Sequence, residues 1–225
     1  MRSVLQEADD YVSVIVSDVD PSLAPQMAGF EFTPIEGGFE RRFDLGHPDL
    51  LDILGRFQGS LENMVRQLAG RDPTPWQTAL QRFMSVAGSE TDWWLVGSTA
   101  LAVRGIRIEP KDVDIVVTEA AFPRANSLFE QFIVEPPQES EEFIARFFAR
   151  AFMGARVEWV AGVYEWVDSA EPSDFGPVAE RQRESINWNG ATVRVPPLAL
   201  QLSATRRRGL HDRARLIEEF IDANR

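Results

Sequence analysis

A few side chains within one short stretch could do chemistry together. Gly97 and Ser98 form a turn signal, and thirteen residues, Thr99 to Lys111, separate them from Asp112 and Asp114. The two aspartates stand one residue apart on a Val- and Ile-rich run, DVDIVV, a composition that predicts a strand. Side chains alternate along a strand, so both carboxylates share one face while Val113 and Ile115 take the other. Two adjacent carboxylates stay ionised together only with a cation between them. A hard divalent ion with oxygen ligands fits: Mg²⁺ first, with Mn²⁺ as the alternative, and Mg²⁺ commonly brings substrate phosphates with it. The Gly-Ser turn opens a run of helix formers. Free N–H groups at a helix start attract anions, Gly97 lets a phosphate approach the backbone, and Ser98 adds a hydroxyl donor. A phosphate cradle beside metal-binding carboxylates is what phosphoryl or nucleotidyl transfer needs.

The elements that must position these groups are an apolar strand at Trp93 to Val96, a short helix from Thr99 to Val103 broken at Gly105, and the aspartate strand ending at Val117. Taken in this order, WWLVGSTALAVRGI followed by KDVDIVV resembles the signature of the polymerase-beta-type nucleotidyltransferases. It is most similar to small bacterial members, which include antibiotic nucleotidyltransferases and the nucleotidyltransferase toxins of toxin–antitoxin pairs. The resemblance covers Trp93 to Val117, weakens toward Phe220, and leaves out the first ninety residues. It implies a mixed sheet flanked by helices, two Mg²⁺ ions on Asp112 and Asp114, a nucleoside triphosphate held at Gly97 and Ser98, and a third carboxylate on a later strand.

Glu158 is the candidate for that third carboxylate. The run RVEWV, Arg156 to Val160, alternates and reads as the returning strand of a hairpin whose turn is Met153-Gly154 and whose first strand is Ala145 to Phe152. Val157 and Trp159 then face one side and Glu158 the other, beside the aspartates. There it could share a metal ion and orient or deprotonate an acceptor hydroxyl. The family more often carries Asp at this place. Glu165 and Asp168 are weaker alternatives.

Composition sets bounds. The chain has 225 residues, 44% hydrophobic and 10% aromatic, which indicates a packed core. Without cysteine there is neither a disulfide framework nor a thiolate site, and two histidines, His47 and His211, argue against a His-rich zinc centre. No apolar run reaches membrane-spanning length and no signal-peptide pattern opens the chain, so the expectation is a cytoplasmic protein without a membrane partner. A formal net charge of −12 disfavours broad binding to nucleic acid but leaves room for recognition of one RNA end. Lys111, the only lysine, faces away from both aspartates on a strand and reads as a surface or supporting residue.

Residues 1–90 read as an N-terminal α+β region without chemistry of its own, and 91–225 as the nucleotidyltransferase-like domain with C-terminal helices. In the first, Tyr11 to Val16 is a strand, a hairpin turns at Ile35 to Gly38, and an apolar stripe from Leu50 to Leu68 predicts a helix that Gly55 and Gly59 could interrupt. Trp76 to Val86 follows as a second helix. In the second, Glu119 to Phe132 reads as a helix, Glu135 to Gln138 as a loop because of its two prolines, and Ser140 to Ile144 as a helical turn. INWNGATVRV is a hairpin about Asn189-Gly190. Two helices, Leu198 to Thr205 and Asp212 to Ala223, close the chain, with Asp212 as the expected N-cap. Between them lie Arg206, Arg207 and Arg208, which could bind phosphates or an RNA backbone. Where the resemblance leads one to look for a helix lysine, this chain has Gln201.

The sequence therefore predicts transfer of a nucleoside monophosphate from a nucleoside triphosphate to an acceptor hydroxyl. Asp112, Asp114 and Glu158 are the catalytic and metal ligands; Gly97, Ser98, Arg206 and Arg207 are the phosphate contacts. The acceptor is a small molecule or, as a toxin-type alternative, a tRNA end. A catalytically weak nucleotide-binding or protein-interaction module of the same fold is the competing reading.

Overall fold

The computed structural model describes residues 1–88 and 91–224; the boundary expected between residues 90 and 91 involves Glu90, which lies outside the described residues. Strands β1 (Arg2–Glu7) and β2 (Tyr11–Ser17) lead through a one-turn helix, α1 (Ala24–Met27), to the hairpin β3 (Thr33–Ile35) and β4 (Gly38–Asp44). These strands form an antiparallel sheet in the order β1-β2-β4-β3. Its inner face, Val12, Val14 and Val16, packs against one side of α2 (Leu50–Leu68) through Leu54, Phe57, Leu61 and Val65. Gly55 and Gly59 do not break this helix: both are on its outer side, where an added side chain would meet nothing.

After α3 (Trp76–Ala87) comes the sheet that carries the carboxylates. It is built from β5 (Trp93–Leu95), β6 (Val113–Val117), β7 (Ile133–Glu139), β8 (Ala145–Phe152) and β9 (Arg156–Val163), in the order β5-β6-β9-β8-β7. Helix α4 (Gly97–Ala102) connects β5 to β6, and α5 (Phe122–Phe129) connects β6 to β7. Pairing is antiparallel except for β6 against β9, which is parallel. One face of this mixed sheet is the main core, where Val113, Ile115, Val117, Val157 and Trp159 meet Leu80 and Phe83 of α3 and Phe129 of α5. Phe129 stacks on Phe83 at 4.5 Å between ring centres. The buried Trp159 Nε1 donates to Asn126 Oδ1 at 3.0 Å, so its polar end is satisfied.

The chain closes with α6 (Pro177–Arg181), the hairpin β10 (Glu184–Trp188) and β11 (Ala191–Val195), and helices α7 (Leu198–Arg207) and α8 (His211–Ala223). The result is an α+β fold with a helix-flanked mixed sheet, a helical C-terminal segment and an N-terminal α+β region, as the sequence predicts. No helix among the described residues is long and apolar enough to cross a membrane.

Several elements differ from expectation. Strand β1 is unannounced: it is an edge strand, largely exposed, and lacks a buried apolar face that would mark it. Residues 135–138 are not a loop but the middle of β7. That strand is the sheet's outer edge, and its register shifts on both sides of Glu135, so Pro136 and Pro137 sit where missing N–H donors are tolerated. Residues 141–144 form bends rather than a helical turn. The helix expected over Glu119 to Phe132 is α-helical only within α5, with a 3₁₀ turn on each side. Asp212 is not an N-cap: α8 begins at His211, and Asp212 lies in its first turn, where a negative charge still suits the helix dipole.

Candidate metal centre

Local sequence explains how each acidic group arrives. The β5–β6 pair sets Leu95 opposite Ile115, and the Val96 N–H donates to the Asp114 carbonyl at 3.0 Å, which brings the turn alongside Asp114. Gly97 adopts φ +62°, a conformation that suits glycine. A Cβ there would also lie 2.5 Å from Asp114 Oδ2, so the turn admits no side chain for two independent reasons. Thr99 Oγ1 donates to the Asp112 carbonyl at 2.7 Å and fixes the chain entering β6. Across the parallel pair, Asp114 stands opposite Glu158. The alternation of both strands then sends Asp112, Asp114 and Glu158 to the face opposite the main core, together with Val116 and Val160.

The three carboxylates converge: each has an oxygen within 4.8 Å of one on both others. They fit a hard divalent cation in donor type and in spacing. Asp114 makes no ion pair with any cation among the described residues, whereas its two neighbours do. Burial, reinforced by Asp112 and Glu158, pushes its carboxyl well above the usual range, and Arg156 and Arg208 offset this in part. A carboxylate buried among its like, without a direct counter-charge, is where an added cation would be stabilised most.

Arginines surround the cluster. Arg156, two residues before Glu158 and on the same face, donates to Asp112 Oδ2, and its Nε lies 3.2 Å from Glu158 Oε1. Arg150, opposite Glu158 across the β8–β9 hairpin, donates to Glu158 Oε1 at 2.6 Å and also to Glu135. Glu135 is held in turn by Arg41 of β4 at 2.7 Å, and Arg41 reaches Glu31 at 2.8 Å. Alternating charges thus run from the N-terminal sheet to the carboxylate cluster.

A cavity of about 290 Å³ opens on the cluster, lined by Gly97, Asp114, Phe148, Glu158, Asp174 and Arg208 among others. Burial raises the Asp174 carboxyl, with Arg208 nearby in opposition. Arg208 is the member of the arginine triplet that lines this cavity. Arg206 instead pairs with Glu218 of α8 at 2.5 Å, and Arg207 pairs with Glu171 at 2.6 Å and donates to the Pro172 carbonyl at 2.8 Å. The structure therefore does not bring Arg206 or Arg207 to the cavity wall. Gln201 is buried beneath the turn: its Nε2 donates to the Gly97 carbonyl at 3.3 Å, and its Oε1 has no hydrogen-bond partner among the described residues. Lys111 is exposed, with its ammonium toward Gly70. Asp168 is committed elsewhere, accepting the N–H groups of Ser173 and Val178 at 2.7 and 2.8 Å, and Glu165 shares its 3₁₀ turn outside the cluster.

The sequence reading named Asp112, Asp114, Glu158, Gly97 and Ser98, and missed Arg150, Arg156 and Asp174. Arg156 was legible from strand alternation alone. Arg150 follows once the Met153-Gly154 turn fixes the hairpin register. Asp174 comes from a loop with no periodicity to betray it.

No family model matches this chain, and no curated protein matches it. Among solved structures it is similar to a Thermotoga maritima protein described as a "putative nucleotidyltransferase", with 17% identity over 64% of this chain and 91% of that one and a TM-score of 0.48.

Proposed function

We propose that this protein is a nucleotidyltransferase that moves a nucleoside monophosphate from a nucleoside triphosphate to an acceptor hydroxyl. The acceptor oxygen bonds to the α-phosphorus, the bond from that phosphorus to the bridging oxygen breaks, and pyrophosphate leaves. The observation that carries this reading is the convergence of Asp112, Asp114 and Glu158 beside the Gly97-Ser98 turn, with Gly97, Asp114 and Glu158 on the wall of one cavity. Asp112, Asp114 and Glu158 would hold Mg²⁺ or Mn²⁺, which would neutralise charge on the triphosphate and the departing pyrophosphate. Gly97 and Ser98 bind the β- and γ-phosphates, and Arg208 adds a guanidinium from the cavity wall. Glu158 orients the acceptor hydroxyl and takes its proton. A small-molecule acceptor suits the formal charge of −12 better than a tRNA end does.

One observation favours a second reading, a nucleotide-binding module with little turnover. Glu158 is already paired with Arg150 and close to Arg156. Incubation with each labelled nucleoside triphosphate, Mg²⁺ and a panel of hydroxyl acceptors decides between them. Labelled product together with pyrophosphate supports the transferase; nucleotide binding without either supports the module.

A further inference from the structure

The two-ion arrangement that the sequence resemblance implies needs oxygens from all three carboxylates. Here one guanidinium already spans two of them. Arg156 Nη2 donates to Asp112 Oδ2 while Nε faces Glu158 Oε1 at 3.2 Å. That same Glu158 oxygen receives the Arg150 Nε–H at 2.6 Å. Neither arginine is a loose surface group. Arg156 is 13% exposed and lies over the Phe30 ring, and Arg150 is 10% exposed, bonded to Glu135 and set over the Phe148 ring. The cluster thus holds three carboxylates and two permanent cations, since a guanidinium does not lose its proton in a protein. What the arginines leave open is Asp114, which has no ion-pair partner among the described residues, the Asp112 oxygen that Arg156 does not use, and Glu158 Oε2, which stays available to an acceptor.

We propose that the centre takes a single divalent ion, on Asp114 and Asp112, and that the Arg156 guanidinium occupies the place of a second ion between Asp112 and Glu158. This rests on the reading of the carboxylates as a metal centre and refines it. A guanidinium supplies positive charge and directed N–H donors but no open coordination position. It can bond Asp112 and balance charge on Glu158, yet it cannot ligate an acceptor hydroxyl. Activation of the acceptor then falls to Glu158, which the Arg150 hydrogen bond holds in place.

The test is Mn²⁺ titration of the full chain, followed by electron paramagnetic resonance, with and without a triphosphate whose α–β bridge cannot be cleaved. Two ions in one such centre lie about 3.5–4 Å apart and give an exchange-coupled spectrum. The wild type should bind one Mn²⁺ with the spectrum of an isolated ion. Arg156→Ala should bind two, coupled, and Arg156→Lys should stay at one. Circular dichroism checks that each variant is folded, and Arg156→Gln replaces Arg156→Ala if the latter is not. Two coupled ions in the wild type, or one in a folded Arg156→Ala or Arg156→Gln, overturns this proposal and leaves the metal-centre reading standing. Failure of the wild type to bind any Mn²⁺ overturns both.

Discussion

Arg41 of β4 and Glu135 of β7 form an ion pair 2.7 Å long, with side chains 4% and 2% exposed. It ties the N-terminal sheet to the edge of the sheet that carries the carboxylates. Glu135 passes the link on to Arg150, and Arg150 passes it to Glu158. Burial by itself would raise the Glu135 carboxyl, but Arg150 and Arg41 together outweigh it and hold the group below its usual range. Arg41→Ala removes one of the two guanidiniums on this buried carboxylate and leaves Arg150 as the other. It should destabilise the protein by about 1.5–3 kcal/mol, the scale of a hydrogen bond to a charged group, read as a lower urea midpoint. A change below about 0.5 kcal/mol would mean that solvent reaches the pair and that the link is weak.

Glu158→Gln keeps the size of the side chain and removes its charge. Under the transferase reading, turnover should fall by a factor on the order of 10² or more, as for loss of a general base. Triphosphate affinity should change little, because Gly97, Ser98, Asp112 and Asp114 are untouched. A Glu158→Gln variant that turns over at the wild-type rate would remove Glu158 from catalysis.

Gly97→Ala should be among the most damaging small substitutions in the chain. Left-handed backbone costs a residue with a Cβ roughly 1–2 kcal/mol, and the new methyl would collide with Asp114 Oδ2. The expected outcome is a lower Tm together with weakened Mn²⁺ binding. Ser98→Ala is the milder companion. It should cost about 1.5–3 kcal/mol of triphosphate affinity through one hydrogen bond to a charged group, with Mn²⁺ binding intact. Equal triphosphate affinity in wild type and Ser98→Ala would take Ser98 out of the site.

Asp114 makes the metal-free protein sensitive to pH in a defined direction. Its folded carboxyl holds a proton to higher pH than the unfolded one, because of burial and then of Asp112 and Glu158. The folded state binds more protons across that interval, so stability is fully present below the ordinary carboxylate range. It is lost as pH rises through the folded value. In chelator, Tm should fall over this interval, and Asp114→Asn should flatten the fall. Divalent metal should restore stability in the wild type alone, with affinity that climbs with pH as the proton is displaced. A Tm profile in chelator that is identical for wild type and Asp114→Asn would refute this account.

The centre was more legible than its surroundings, for a physical reason. Asp114, Arg156 and Glu158 lie on strands and Asp112 immediately precedes β6, so a period of two fixes the face of each side chain. Gly97 lies at a turn whose backbone demands that residue. Which arginine of Arg206, Arg207 and Arg208 reaches the cavity depends on the angle at which α7 ends, and no local pattern encodes that. The Arg41–Glu135 link depends on contact between two sheets and has no local signature either. β7 was misread because proline argues against an interior strand and says little about an edge.

The parallel pairing of β6 with β9 also sets when the centre can exist. Asp112 and Arg156 are 44 positions apart, and α5, β7 and β8 must all be laid down before β9 can dock beside β6. Closing so long a loop costs entropy before any contact repays it. A chain emerging from the ribosome thus offers metal no three-carboxylate site until Glu158 has been made and its hairpin has closed.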